Sequence, residues 1–350
     1  MSAGPASALG DRAAGLLHVA NSAVVVGTAR LGHGSLLAQG AVIRSGDAAV
    51  DVGTGSAVLE NSVVVGNGAM RTSIGRSSVF GHRCLVIGAR VGDLCEIGNA
   101  SILLPGCRLG DRVFLGEGTI VPAGMALASD VVVVGRPARV IRQASPDDLE
   151  RLAGLRGGDL SVPQQTFVQV EQTQEPGLMG QLYDYRGIVP TISPSAVLFA
   201  SAEITGDVVV GDRAIIGAGV KIIGDSHGPV RIGNDVQILE NTVLHLLPDN
   251  QLIIDDGAIV GPGAMIHGCH IGTRSIIEPG AIVCDNSVLG AGSIVRAGAV
   301  VKQRSRFDAG SEVDGFPAVE IGRHGGLPEL PPWALDPDDL PRSTPVNREV

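Results

Sequence analysis

An apolar residue recurs at every sixth position through long stretches of this chain. The clearest run in the first half comprises Val52, Val58, Val64 and, after one interruption, Ile74, Phe80 and Val86. A hexapeptide repeat is typical of a parallel β-helix, in which stacked coils bury a continuous core. Three hexapeptides complete one triangular coil, and the apolar position of each points inward. The periodicity therefore predicts an all-β chain folded as a left-handed parallel β-helix.

The composition favours a core made of small side chains. The chain has 350 residues, of which 50 are Gly, 6 Phe, 2 Tyr and 1 Trp. Left-handed connections between parallel strands are rare, so this route needs permissive backbone positions. We expect Gly53, Gly75, Gly81 and Gly110 to supply them by adopting a left-handed backbone at the corners.

Two copies of the repeat unit follow one another. The offset between them is constant, because 240 − 60 = 180 for Glu60 and Glu240, and 317 − 137 = 180 for Pro137 and Pro317. Such an offset indicates duplication and fusion of one β-helix domain, each copy ending in a cap. The predicted boundaries are an N-terminal arm at 1–18, a first β-helix at 19–142, a helix and linker at 143–187, a second β-helix at 188–324 and a Pro-rich tail at 325–350.

One segment between the copies carries helical signals. Ser145 is a typical N-cap residue, Pro146 suits the first turn, and Gly157 ends the pattern. Residues 158–185 are rich in Gln and Pro and are expected to form a linker over the surface. The tail is expected to be extended and poorly ordered, with Trp333 docking back.

Net charge and cysteine content indicate which partners and which cell compartment to expect. The net charge of −10 and the pI near 5.2 argue against nucleic acid and acidic membrane surfaces as partners. The 5 cysteines form no CxxC pair, so we expect reduced thiols in a cytoplasmic protein. No signal peptide and no apolar run of membrane-spanning length are apparent. The expected partners are a small-molecule substrate and further copies of the chain.

Two histidines occupy matching places in successive coils. His245 follows Leu244 and His267 follows Ile266, and the six-residue spacing is kept once the loop LPDN is discounted. The hexapeptide geometry therefore makes His245 and His267 cross-coil neighbours, about 4.8 Å apart by strand spacing and both pointing outward. Two imidazoles at this separation can share one zinc ion, which needs a third ligand to form a catalytic site.

Both halves resemble the γ-class carbonic anhydrases and their bacterial hexapeptide relatives. The resemblance is carried by ENTVLH at 240–245, GPGAMIHGC at 261–269 and GFPAVEIG at 315–322. Three histidines bind the metal in that family, and the resemblance assigns two of these positions to His245 and His267. Pro262 stands at the third position, whereas the first half has His82 there.

The resemblance implies a composite site. The first half has Val65 and Ile87 in place of the histidine pair, so the losses in the two halves are complementary. Family members build the site across a subunit interface, with the pair from one protomer and the lone histidine from its neighbour. His82, His245 and His267 would then bind one ion, with zinc expected and Fe2+ or Co2+ as alternatives. This arrangement implies a homo-oligomer with interfaces between unlike halves.

The resemblance also implies an activity, the hydration of carbon dioxide by activated water. Asp225 and Glu240 match the family's acidic positions, and we add Asp249 of the LPDN loop as a candidate proton acceptor. Ile223 and Leu239 replace the family's arginine and glutamine. Because these changes remove polar groups, the same chemistry could serve a larger and more apolar electrophile.

Other residues of the first half lie near the lost arginine position. Arg44 and Asp47 are close to it, one residue out of register by the constant offset.

Two other functions fit the same scaffold. A hexapeptide acyltransferase or thioesterase would use a single histidine as general base on an acyl thioester, without a metal. A non-catalytic assembly subunit would need neither a general base nor a metal. Metal content separates these alternatives from the zinc enzyme.

Overall fold

The computed structural model describes residues 16–171, 180–225, 228–336 and 340. The chain divides into two compact units, Met1–Thr173 and Gln174–Val350. Both are parallel β-solenoids, with about 16 turns in total and one short helix. The prediction of an all-β left-handed β-helix is confirmed.

The first unit contains short strands of two to four residues in most coils. Its strands are β1 His18–Val19, β2 Val24–Gly32, β3 Leu36–Leu37, β4 Val42–Val52, β5 Ala57–Val58, β6 Val63–Gly66, β7 Thr72–Ile74, β8 Val79–Phe80, β9 Leu85–Ile87, β10 Arg90–Val91, β11 Glu96–Ile97, β12 Ile102–Leu103, β13 Arg108–Leu109, β14 Phe114–Leu115, β15 Ile120–Val121, β16 Ala126–Leu127, β17 Val131–Val134, β18 Arg139–Gln143 and β19 Phe167–Val170. The helix α1 spans Pro146–Leu155.

The second unit repeats this pattern. Its strands are β20 Gln181–Tyr183, β21 Thr191–Ile192, β22 Val197–Leu198, β23 Glu203–Gly206, β24 Val208–Val210, β25 Ile215–Ile216, β26 Lys221–Gly224, β27 Val230–Ile232, β28 Gln237–Ile238, β29 Val243–His245, β30 Leu252–Ile254, β31 Ile259–Val260, β32 Met265–His267, β33 His270–Ile271, β34 Ile276–Ile277, β35 Ile282–Val283, β36 Val288–Leu289, β37 Ile294–Val295, β38 Val300–Val301, β39 Arg306–Phe307, β40 Ser311–Gly315 and β41 Ala318–Arg323.

Every third strand of the second unit pairs in parallel, which produces three sheets along the three faces. The sheets run β20-β23-β26-β29-β32-β35-β38, β21-β24-β27-β30-β33-β36-β39 and β22-β25-β28-β31-β34-β37-β40-β41. In the first unit the long strand β4 pairs with both β6 and β7, and so joins two faces into one sheet. Each solenoid closes with an antiparallel pair, β17 with β18 and β40 with β41.

The predicted hexapeptide positions form the core. Val58, Val64 and Phe80 are buried in the first unit, and Leu244 and Ile266 are buried in the second. Burying a Val, Leu or Ile side chain contributes about 1.5–3 kcal/mol, so a regular stack of such residues compensates for the lack of aromatic rings.

The structure has a different reason for glycine at the predicted corner positions, so the expectation of a left-handed backbone there is wrong. Gly53, Gly75, Gly81 and Gly110 do not have positive φ; the left-handed positions are taken instead by residues such as Asn61, at φ 57°. A Cβ atom on Gly75 would lie 2.4 Å from the carbonyl carbon and oxygen of Gly92 in the next coil. These glycines are therefore required by close approach of stacked coils rather than by backbone conformation.

Cysteine and serine share one structural role at the corners. The Ser62 hydroxyl donates to the Gly81 carbonyl oxygen at 2.8 Å, and the Cys84 thiol donates to the Gly98 carbonyl oxygen at 3.2 Å. The Cys95 thiol makes the same contact with Gly110. Burial raises the pKa of Cys84 and of Cys95 to about 12, so these thiols stay protonated and serve as packing groups.

The helix covers one outer face of the first solenoid. Ser145 and Asp148 form a capping box at its start, which confirms the predicted N-cap. Leu152 packs with Phe114 and Leu94 on the outside of the coils. At the helix end, the Arg156 guanidinium donates to the Ser77 carbonyl oxygen at 2.8 Å and pairs with a carboxylate of the coils.

The linker is more regular than its composition suggests. β19 pairs antiparallel with β2 and so adds an edge strand to the first coil. β20 pairs in parallel with β23, so the second solenoid's ladder begins before residue 188. Residues 172–179 lie outside the described part of the chain, as do 1–15 of the predicted N-terminal arm.

Part of the tail packs on the second solenoid. Gln237 points away from the core, and its side chain donates to the Leu335 carbonyl oxygen and accepts from the Leu335 N–H, at 2.8 and 2.9 Å. Trp333 is only 4% exposed. The tail thus covers an outer column that includes the register partners Ile215 and Ile259. Residues 341–350 are outside the described residues.

Within the described ranges, no helix is long and apolar enough to span a membrane.

Replacing Gly75 tests the close-approach explanation. We expect Gly75→Ala to lower the free energy of unfolding by about 1–3 kcal/mol, because the new methyl group overlaps the next coil. Gly68→Ala is the matched control, since a Cβ there meets nothing within 4 Å. Its effect should stay within about 0.5 kcal/mol. Denaturant unfolding of the two variants decides the point, and equal midpoints would contradict it.

Candidate functional site

The histidine pair lies on neighbouring strands of one sheet. β29 pairs in parallel with β32, with Leu244 opposite Ile266 and His245 opposite His267. The leucine and isoleucine are buried in the core, so alternation along each strand places the following histidine on the outer surface. The two ring centroids are 5.7 Å apart and the rings are nearly perpendicular, at 85°. Both side chains are partly accessible, at 28% and 29%.

A carboxylate faces each of the two rings. Asp225, just after β26, places Oδ2 3.8 Å from Nε2 of His245. Asp285, just after β35, places Oδ2 3.6 Å from Nδ1 of His267. The sequence analysis selected Asp225 through the family resemblance. It missed Asp285, which follows the third strand after that of His267 and is brought to it only by the coil-to-coil ladder.

The other predicted acidic residues have different surroundings. Glu240 is buried at the corner before β29, with its backbone carbonyl accepting from the Gly263 N–H at 2.8 Å. Asp249 is exposed in the loop after β29, at φ 59°. Leu239, at the position of the family's glutamine, is fully buried. Asp225 and Asp285, by contrast, lie within ion-pair distance of His245 and His267, at 3.8 and 3.6 Å.

His82 belongs to the first unit and lies just after β8. Its Nδ1 is 2.8 Å from Oε2 of Glu60, and its backbone N–H donates to Oδ1 of Asn99 at 2.7 Å. The His82 side chain is 53% exposed. Glu60 corresponds to Glu240 by the constant offset, so the acidic residue of this motif has a histidine partner in the first unit.

Arg44 sits in the register position that the constant offset obscured. Ile43 pairs with Val64 and Arg44 with Val65, as Ile222 pairs with Leu244. Arg44 is therefore the counterpart of Ile223, because the segment between the paired strands is one residue shorter in the first unit. The arginine is buried, and its register partner is Val65, which stands where the second unit has His245.

The donor set fits a metal ion in part. Two imidazoles on adjacent strands, each faced by a carboxylate, are the donor types that zinc prefers, and the carboxylates suit the outer-shell role. Across the described residues, no group of three or more His, Cys, Asp or Glu side chains is arranged to hold a metal. The histidine pair alone is thus an incomplete ligand set for a catalytic zinc ion.

The comparisons with known proteins agree with this fold. A carbonic anhydrase from Geobacillus kaustophilus is 38% identical over 109 residues, which is 31% of this chain and 59% of that protein. The carnitine operon protein CaiE from Escherichia coli is 31% identical over 108 residues, 31% of this chain and 55% of its own. The chain thus resembles carbonic anhydrase-like hexapeptide proteins over about a third of its length. No family model matches it.

A solved structure also matches part of this chain. A Bacillus cereus protein provisionally assigned as an acetyltransferase is 33% identical and covers 41% of this chain and 83% of its own, with a TM-score of 0.40. The resemblance to carbonic anhydrase-like hexapeptide proteins is confirmed. The chain spans little more than half the length of the two curated relatives named above, 59% and 55%.

The cysteines near the histidine pair differ in accessibility. Cys269, next to His267 in the HGC motif, is buried, whereas Cys284 beside Asp285 is partly exposed. We expect an alkylating reagent at pH 8 to modify Cys284 first in the folded protein, since the raised pKa of Cys84 and Cys95 near 12 leaves them protonated. Mass spectrometry of the labelled peptides measures the order. Cys284→Ser should remove the fast phase, and labelling of Cys84 at a similar rate would refute the expectation.

Proposed function

We propose that this chain is a metal-dependent enzyme that activates water, with zinc as the ion and carbon dioxide as the first substrate to test. The observation that carries the proposal is the pairing of His245 with His267 on adjacent strands, with ring centroids 5.7 Å apart. One of the two curated relatives named above is a carbonic anhydrase, which supports this choice of reaction. A zinc ion held by histidines lowers the pKa of bound water toward neutrality and so supplies a nucleophile.

The residues around the pair have distinct parts in this proposal. His245 and His267 hold the ion through ring nitrogens, and the rigid ladder fixes their spacing. Asp225 faces His245, with Oδ2 3.8 Å from Nε2, and its charge would help to orient the ring. Asp249 remains the candidate for proton transfer. Glu240 remains the candidate for support at the corner before β29.

The surroundings favour a substrate with apolar character. Leu239 and Ile223 replace polar groups of the family, and Leu247, two residues after His245, is 44% exposed. An apolar side chain at this place excludes water from one side of the site without offering a hydrogen bond. We therefore propose a second arm for the assay, an electrophilic carbonyl compound or ester larger than carbon dioxide.

His82 is the proposed third ligand. It is exposed, and its position in the repeat is that of the third histidine in the family resemblance. The ligand would come from a neighbouring module of a homo-oligomer.

The same histidine supports a second candidate function. Nδ1 of His82 is 2.8 Å from Glu60, so the carboxylate can hold the ring with Nε2 available as a general base. A hexapeptide acyltransferase acting on an acyl thioester would use such a pair without any metal. Loss of acyl transfer in His82→Ala and Glu60→Gln, with no zinc in the purified protein, would favour this function.

Metal content and carbon dioxide hydration test the first proposal. We expect about one zinc ion per chain, and His245→Ala or His267→Ala should lose the ion and slow hydration by more than about 100-fold, since even outer-shell changes cost about 10–100-fold. His82→Ala should do the same if it completes the ligand set. Elemental analysis and stopped-flow hydration are the measurements.

His270→Ala is the matched control for these variants. His270 lies close in sequence to His267 but pairs with Asp255 on another face, at 2.8 Å. The His270→Ala variant should retain zinc and activity. Wild-type protein that takes up no zinc would refute the metal proposal, whereas bound zinc without hydration would leave only the larger substrate.

A further inference from the structure

Asp285 is a buried carboxylate that connects two parts of the site. It follows β35, one coil beyond His267, and its side chain is 5% exposed. Ionised carboxylates are rarely buried to this extent unless several groups compensate the lost hydration. Its two oxygen atoms have different partners, and each partner belongs to the surroundings of the histidine pair.

The Oδ1 atom holds the loop that follows β29. It accepts from the backbone N–H of Leu247 and from Nδ2 of Asn250, both at 3.2 Å. The same Asn250 amide donates to the Gly268 carbonyl oxygen at 2.7 Å. Residues 247–250 are thereby tied to the coil that carries His267.

The Oδ2 atom faces the imidazole of His267. Its distance to Nδ1 is 3.6 Å, within ion-pair range and longer than a direct hydrogen bond. Hydrogen bonds of functional residues are commonly long in proteins without their ligands and tighten when the ligand binds. A proton on Nδ1 directed at Asp285 leaves the lone pair of Nε2 free for an electrophile.

We propose that Asp285 is a positioning residue that selects the Nδ1–H tautomer of His267 and at the same time fixes the loop 247–250 beside it. This inference rests on the proposed function insofar as His267 is a metal ligand. It goes further by assigning the tautomer and by joining ligand orientation to the loop that bears Leu247. The loop and the ligand should therefore be disturbed together when Asp285 is lost.

The residue after His267 supports this assignment. A Cβ atom on Gly268 would lie 2.2 Å from Nδ2 of Asn250 and 3.1 Å from Oδ1 of Asp285. Any side chain at this position would push the loop amide away from the carboxylate. The absence of a side chain at 268 is thus required by the same contact that Asp285 makes.

Two substitutions separate the two tasks of the carboxylate. Asp285→Asn keeps an oxygen that can accept from Leu247 but can present an N–H toward Nδ1 of His267, which favours the opposite tautomer. Asp285→Ala removes both contacts. Asp255→Asn is the control, because Asp255 pairs with His270 on a different face.

Three measurements on the full chain decide the proposal. Chelator competition should show zinc affinity lowered about tenfold or more in Asp285→Asn and Asp285→Ala, and unchanged in the control. The 15N chemical shifts of His267 in metal-free protein should show the Nδ1–H tautomer in the wild type and its loss in both variants. Hydrogen exchange of the Leu247 amide should accelerate in Asp285→Ala but not in Asp285→Asn or in the control.

The outcomes are distinct from those of the proposed function. Zinc affinity within twofold of wild type together with an unchanged His267 tautomer in Asp285→Asn would overturn the inference. Wild-type protein that binds no zinc would refute the metal enzyme, while the tautomer and exchange measurements would still test Asp285. Gly268→Ala should reproduce the faster Leu247 exchange and keep the carboxylate in place.

Discussion

The parallel ladder between successive coils is the constraint on which the rest of this structure depends. Because each strand bonds to the equivalent strand one coil away, residues at one position form a column about 4.8 Å apart. Leu244 and Ile266 stack inside, so His245 and His267 must stack outside. The same ladder brings corner backbones so close that only glycine fits at positions such as Gly75. Core, corner and candidate ligand pair are consequences of one spacing.

The two units carry different parts of the polar set that the family resemblance implies. Arg44 lies beside Val65 in the first unit, whereas Ile223 occupies the corresponding place before His245 in the second. Val65 and Ile87 are fully buried, while the two histidines are partly exposed. Burying an imidazole without a partner costs free energy, so aliphatic side chains suit the buried positions 65 and 87 of the first unit. The second unit instead keeps its two histidines partly exposed, each with a carboxylate facing the ring.

Sequence reasoning predicted those features that the hexapeptide period and nearby residues determine. The hexapeptide core, the Ser145 cap and the alignment of His245 with His267 follow from residues close together in the chain. The role of the corner glycines was misjudged, since contact with the next coil cannot be read from one coil alone. Strand β19 was missed because its partner β2 lies far away in the sequence. Arg44 was misaligned by a one-residue difference in a loop, and Asp285 carries no motif that marks it.

The loop after β29 explains why a departure from the repeat could matter for chemistry. A regular hexapeptide coil leaves an outward-facing pair on an even surface, with nothing beside it to select a substrate. Here the chain inserts residues before β30, and the insertion is held by the same buried carboxylate that faces His267. Ordering such a loop costs conformational entropy, so its attachment to a buried charge needs a compensating role. Under the proposed function, the exposed side chain of Leu247 would supply that role by coupling an apolar group of the substrate to the orientation of His267.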